Sequence, residues 1–253
     1  MMKNDVEERI KKLREAINHY RYLYHVLDKQ EISDEALDSL KYELAKFESA
    51  HPNLITPDSP TQRVAGKPLD KFEKIKHDII QWSFNDAFTE EDIREFDARV
   101  KRFLADEGIH VESVPYTCEL KIDGFKIVLT YENGLLKNAA TRGDGVYGED
   151  VTMNVRTIES IPLKLEKPVN ITAEGEIWMG KKDFDKLNKA QEKKGLPAFA
   201  NPRNVAAGTI RQLDPKIVSE RKLQVFVYDL PKADFKIPDS QLDELKKLGE
   251  LGF

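Results

Sequence analysis

Residues Thr117 to Thr141 constrain the fold of this 253-residue chain more than any other stretch. Thr117-Cys118-Glu119-Leu120-Lys121-Ile122-Asp123-Gly124 alternates charged and apolar side chains. As a strand it would turn Glu119, Lys121 and Asp123 to one face and Cys118, Leu120 and Ile122 to a core. Phe125 to Tyr131 follows as a second strand rich in Ile, Val and Leu. Glu132-Asn133-Gly134 supplies an Asn-Gly turn, and Leu135 to Thr141 returns. Asn-Gly between apolar runs is the strongest short hairpin signal, because the tight turn needs two residues that tolerate positive φ. The spacing predicts an antiparallel sheet.

The charged face of the first strand suits a nucleophile. A lysine amine attacks only when unprotonated, which desolvation or nearby positive charge favours and carboxylates alone oppose. A cation, either a metal ion or arginines, is therefore expected close to Lys121. Gly124 would let another backbone or a phosphate approach.

The amino-terminal part reads as a helical pair. Val6, Ile10, Leu13, Ile17, Tyr20, Tyr24 and Leu27 recur in steps of three and four, one face of a long amphipathic helix. Ser33 is placed as an N-cap, with Asp34 and Glu35 in the first turn and Leu37, Leu40, Leu44 and Phe47 as the buried stripe. Asp34 and Asp38 share a face. With Tyr24 and His25 they could grip a polar ring carrying positive charge, or they could be a solvated face. His51 to Pro68 holds four prolines and a glycine and reads as a strap, with a domain boundary near residue 70.

Beyond it, Trp82-Ser83-Phe84 leads into Thr89-Glu90-Glu91-Asp92, a capping-box start for a helix carrying Ile93, Phe96, Val100, Phe103 and Leu104. After the hairpin, Arg142 to Asp150 is a glycine-rich loop whose amides could form an anion nest or an ordinary turn. Ile171 to Met179 is a strand with Glu174, Glu176 and Trp178 on one face; Glu176 suits a sugar hydroxyl or a metal, against an exposed strand face. Lys181 to Lys194 is helical and stops at Gly195. The next helix opens at Pro202 and spaces Arg203, Ala207 and Arg211 by four, for a phosphate or for solvent. Leu223 to Leu230 is predicted as a buried strand whose Tyr228 could offer a ring to a base, before a helical tail from Asp239 to Leu251.

Composition narrows the class. A formal charge of -5 argues against a chain built mainly to grip nucleic acid. Cys118 is the only cysteine, which leaves no intrachain disulfide or cysteine-rich zinc site and points to a reducing, cytoplasmic setting. No apolar run is long enough to span a bilayer, so a soluble protein without a membrane partner is expected.

Four segments, HPNLITPDSPTQRV, CELKIDG, TRGDGVYGED and FANPRN with AAGTIRQLD, together resemble the amino-terminal adenylation region of the NAD-dependent DNA ligase family, in that family's order and spacing. The resemblance covers about Leu23 to Tyr228. It implies an α+β fold, with a helical NMN-recognition subdomain over residues 1–70 and a mainly antiparallel-sheet nucleotidyltransferase domain over 71–253. It implies that Lys121 takes AMP from NAD, releasing NMN, and that the AMP passes to a DNA 5′-phosphate before a 3′-hydroxyl seals the nick in replication or repair. Glu119 would contact adenine, Arg142 the ribose and its surroundings, Glu176 the ribose hydroxyl, and Tyr228 would stack on the base, with Ser83 and Phe84 also touching the nucleotide. Tyr24, His25, Asp34, Glu35, Ala36, Leu37 and Asp38 would hold the NMN half, and Asp123, Arg203 and Arg211 would serve substrate phosphate. Magnesium is implied as cofactor, zinc only in family modules beyond this sequence, and the partners are NAD and nicked duplex DNA, with the protein a monomer.

This sequence departs from the family at Leu37, usually tyrosine, at Glu174, usually arginine, and at Gln81-Trp82. After Tyr228 the two later motifs with their lysines are not found, so the resemblance implies an adenylation domain incomplete at its carboxyl end, able to dock NAD but not to seal nicks. Two alternatives are a non-catalytic NAD-binding fragment or sensor, and an ATP-dependent ligase or RNA-capping relative; Tyr24-His25 and the helical module speak against the second.

Overall fold

The computed structural model describes residues 3–27, 29–63 and 71–253. Helix α1 (Lys3–His25) and helix α2 (Asp34–Ala50) form the expected pair. Their stripes meet: Val6, Ile10, Leu13 and Ile17 pack with Leu37 and Leu44, and Tyr20, Leu40 and Phe47 close the edges. Ser33 Oγ accepts the Ala36 amide at 3.3 Å and caps α2, a contact of about 1 kcal/mol in typical cases. Two 3-10 turns, Pro52–Leu54 and Pro60–Gln62, carry the strap away. Glu48 is 2% exposed and ties the three pieces together, accepting from Arg14 on α1 and from Ser59 and Thr61 on the strap. The expected boundary near residue 70 lies outside the described residues.

The remainder is built on sheets. After β1 (Lys74–Lys76) comes α3 (Glu90–Asp106), opened by the expected capping box: Thr89 Oγ1 accepts the Asp92 amide at 3.1 Å, and Asp92 accepts the Thr89 amide at 2.8 Å. Strands β2 (Phe125–Glu132) and β3 (Leu135–Thr141) form the hairpin, with φ of 49° at Asn133 and 75° at Gly134. Positive φ at both central residues is the geometry a two-residue turn needs to match strand twist. Then follow β4 (Tyr147–Glu149), α4 (Thr152–Val155), β5 (Ile171–Met179), α5 (Lys181–Lys193), α6 (Pro202–Ile210), α7 (Pro215–Ser219), β6 (Leu223–Ala233) and α8 (Gln241–Leu251).

β1 pairs with β4, and the larger sheet runs β3-β2-β5-β6 with every neighbour antiparallel. One face of it carries Ile127, Leu129 and Tyr131 of β2 with Ala173 and Ile177 of β5, buried against Val205, Ala206 and Ile210 of α6 and Leu248 and Leu251 of α8. The buried Tyr131 hydroxyl donates to the Pro162 carbonyl at 2.8 Å, so even this polar atom is satisfied, as a packed interior requires. The architecture is α+β. No helix among the described residues is long and apolar enough to cross a membrane.

Three expectations fail here. The lysine-bearing run before Gly124 is not a paired strand: β2 begins at Phe125, opposite Ile177, and the residues ahead of it are extended without a ladder partner. Leu120, assigned to a core face, is 81% exposed. Leu223 to Leu230 is not a buried strand but the sheet's edge, where only its two end leucines are buried. Conversely, β5 has no exposed face, because it is central: Glu174 is buried and Glu176 half-buried.

Candidate active site

A cleft of about 960 Å³ opens where the 82–86 segment, the 119–126 run and the start of the glycine-rich loop meet β5, α6 and β6. Lys121 and Glu119 line it from the extended run, and Ser83 and Phe84 from the segment before α3. Glu176 lines it from β5, Tyr228 from β6 and Arg142 from the loop. Arg203 and Arg211 reach it because α6 repeats every four residues on one side while Val205, Ala206 and Ile210 bury the other. Asn201 caps that helix, accepting the Asn204 amide at 2.8 Å. Asp123 stands just off the lining, its Oδ1 3.3 Å from Arg203 Nε.

Gly124 sets the position of Lys121. A Cβ on this residue would lie 2.3 Å from the Ile177 carbonyl oxygen, so the close approach the sequence called for is made by the backbone of β5. The Gly124 amide in turn donates to the Glu176 carboxylate. Burial raises the pKa of Glu176, and Lys121, that amide, Arg203 and Lys126 oppose the rise. Burial likewise raises the Tyr228 phenol, with Glu176, Glu174 and Asp229 adding to the effect, so the ring is held neutral. Phe84 faces Tyr228 with ring centroids 6.1 Å apart and planes tilted by 56°. Arg211 lies over the Phe125 ring at 5.2 Å and pairs with Glu149 at 2.9 Å. Both arginine pairs are exposed to solvent, which weakens them, and each guanidinium keeps further N–H donors for a ligand.

The glycine-rich loop does not present an open anion nest. Its own Asp144 carboxylate accepts the amides of Val146 at 2.9 Å and Tyr147 at 2.7 Å. The amides of Asp144 and Gly145 bond to Tyr147 and Arg142 carbonyls. Those amide contacts hold the Asp144 carboxyl below the usual range. The loop's contribution to the cleft is Arg142 and Gly143 rather than a ring of free amides.

The amino-terminal candidates lie elsewhere, since no residue of the helical pair lines the cleft. His25 is half-buried beside Tyr24, rings 4.7 Å apart and edge-on. Burial lowers its pKa to about 4; Glu159 opposes the drop, and Arg21, Lys41 and Arg63 add to it, so the imidazole is neutral near pH 7. Glu35, Ala36 and Asp38 are exposed at the start of α2, and the side chain of Asp34 lies outside the described residues. Leu37, expected among the cofactor contacts, is 8% exposed and packed in the helix-pair core. The stripe through Leu40 and Leu44 turns it inward, away from any ligand on the exposed face.

Several lining residues escaped the sequence reading, Lys126 and Asp229 among them. Lys126 breaks the apolar run of β2, which was the available signal, and Asp229 directly follows Tyr228. Among the described residues no group of three or more His, Cys, Asp or Glu side chains is placed to hold a metal ion.

Comparison with known proteins accounts for both halves. The family model for the NAD-dependent DNA ligase adenylation domain matches residues 69–253, and that for the DNA ligase-like, N-terminal NAD+-binding domain matches residues 3–65. A DNA ligase of Shouchella clausii is 46% identical over 253 residues, covering 100% of this chain and 37% of the relative. DNA ligases of Acetivibrio thermocellus and Bacillus cytotoxicus are each 47% identical, over 249 and 253 residues, and 37% of each is covered. The chain thus spans little more than a third of the length of these relatives. With one model covering the sheet-built part and a second the helical pair, this chain belongs to the NAD-dependent DNA ligase family, as its adenylation domain preceded by the N-terminal NAD+-binding domain.

Proposed function

We propose that the cleft binds NAD and that Lys121 is adenylated there, the first step of nick sealing by a DNA ligase. What carries this reading is the convergence of Lys121, Glu176, Tyr228 and three arginines on one cavity large enough for a nucleotide. Tyr228 and Phe84 would take the adenine between apolar surfaces, Glu119 its edge, and Glu176 a ribose hydroxyl. Lys121 Nζ would attack the α-phosphorus as the bond to the NMN phosphate breaks, leaving a lysyl-AMP phosphoramidate. Arg142, Arg203 and Arg211 supply positive charge that offsets the charge developing on phosphate.

Magnesium fits this donor set in one form only. The ion accepts one or two carboxylates plus substrate phosphates, so Glu119 or Glu176 together with the nucleotide would hold it, and it would neutralise charge on the transferring phosphate. Residues up to about 70 form the separate helical module, whose Tyr24, His25, Asp34, Glu35, Ala36 and Asp38 receive the NMN half. The activated phosphate passes to nicked duplex DNA near Asp123, Arg203 and Arg211, and the protein acts as a monomer in the cytoplasm.

Titration with NAD tests the binding, which Tyr228→Ala should weaken by about tenfold; no binding by the wild type would overturn the reading. Intact mass after incubation with NAD and magnesium tests the chemistry. An adenylyl adduct that is lost in Lys121→Ala supports the assignment, and one that persists there, or forms from ATP and not from NAD, rules it out.

A further inference from the structure

Lys126 has no part in the reaction just described, yet its ammonium is fixed on two sides. Nζ lies 2.7 Å from Glu174 Oε2 and donates to the Trp82 carbonyl at 3.3 Å. The two paired side chains are only 17% and 7% exposed. Glu174 belongs to β5, the strand flanked on both sides in the larger sheet, whereas Trp82 belongs to an irregular segment whose Trp82, Phe84 and Phe88 side chains are largely exposed. That segment is fastened to the body at Gln81, whose amide donates to the Gly145 carbonyl, and runs at its other end into the capping box of α3, a helix with no buried residue, where the Phe88 amide donates to Asp92. Between them, among the described residues, the Lys126 contact is the only hydrogen bond holding Trp82 to Ala87.

We propose that Lys126 is a positioning residue of the cleft: held by Glu174, it pins the Trp82 carbonyl to the sheet and so sets Ser83 and Phe84 opposite Tyr228 to receive a purine nucleotide. The inference rests on the nucleotide reading of the cleft. Its physical basis is that Glu174, 2.7 Å away, already holds the ammonium in place, so the bond to the Trp82 carbonyl, long at 3.3 Å and open to solvent, forms with little further ordering. Without it, six residues of one cleft wall would have to be ordered at the moment of binding, at a cost in conformational entropy.

The test uses the whole chain carrying Trp178→Phe, which leaves Trp82 as the sole tryptophan reporter. In that background the double variant Lys126→Met with Glu174→Gln removes the tether without stranding a buried charge. Expected are a lower fluorescence anisotropy of Trp82 before any ligand is added, and NAD affinity weakened by about tenfold. Lys126→Arg should keep both near the parent values. Should the double variant not fold, Lys126→Gln with Glu174→Gln, which replaces the ion pair by two neutral amides and removes the ammonium from the Trp82 carbonyl, is read by the same two measurements. Unchanged anisotropy overturns the proposal: with weaker binding it would mean that Lys126 touches the ligand directly, and with unchanged binding that it merely neutralises Glu174. If the parent itself binds no NAD, the functional reading falls while the anisotropy still decides the tether.

Discussion

Asp229 is paired across the β5–β6 ladder with Glu174 and lies beside Glu244, whose Oε1 accepts the Leu230 amide at 2.7 Å. Burial, and then the charges of Glu174 and Glu244, push its carboxyl from 3.8 up to about 6. A folded-state pKa above the unfolded value means that the folded chain keeps a proton the unfolded chain gives up. The stabilisation is therefore complete below about pH 4 and is lost as pH rises through about 6. Carboxylates with lowered values, such as Asp78 and Asp243, act in the opposite direction, so the signal is a difference between variants. Asp229→Asn keeps a donor toward Glu244 and removes the titration. Its Tm should match the wild type near pH 4 and gain on it as pH approaches 7; a Tm difference that does not change with pH would show that Asp229 is not the group responsible.

Gly124 joins an irregular run to a central strand, and the consequence belongs to both elements. An added Cβ would meet the Ile177 oxygen at 2.3 Å and Glu176 Cγ at 2.9 Å, so Gly124→Ala must push the lysine-bearing run away from β5. Overpacking of this kind typically costs about 1–3 kcal/mol. It should also weaken NAD binding by displacing Lys121 and Glu176 together, a coupling that urea unfolding and a NAD titration on the same variant would detect. Unaltered NAD affinity would show that the cleft does not depend on this contact. Elements of this kind differ in how far a sequence reveals them. The Asn133-Gly134 turn, the Ser33 and Thr89 caps and the stripe from Val6 to Ile17 were legible because each depends on neighbours a few residues away. That the 118–123 run has no ladder partner was not, because alternation reports a strand's two faces but not whether a second strand lies beside it. The glycine-rich loop misled for a related reason: glycines permit a nest, and whether Asp144 fills it is a matter of side-chain placement.

At the scale of the whole molecule, the helical pair is held to the sheet-built part by arginines reaching for main-chain oxygens. Arg63 is fully buried and donates to the carbonyls of Arg156, Ile158 and Ile161 at 3.1, 2.9 and 2.9 Å, with Glu159 3.5 Å from its Nε. Arg21 of α1 donates to the Glu159 carbonyl, and Arg156 returns the contact to Pro57 and Gln62. None of this was legible, since it links residues about a hundred positions apart through carbonyls that every sequence possesses. Truncating Arg63 leaves three acceptors without their donor and Glu159 without its nearest cation, and losses of this type cost about 3–5 kcal/mol. Arg63→Met should therefore lower Tm markedly. The helix pair has its own apolar core and the Glu48 network, so it should stay folded while it detaches, and thermolysin, which cuts on the amino side of large apolar residues, should cut the strap at Leu54 and Ile55 faster than in the wild type. Arg9→Ala, which breaks only the half-exposed pair with Glu43, should cost less than about 1 kcal/mol and leave the strap protected. Equal cleavage in the two variants would mean that the modules are joined by something other than the Arg63 anchor.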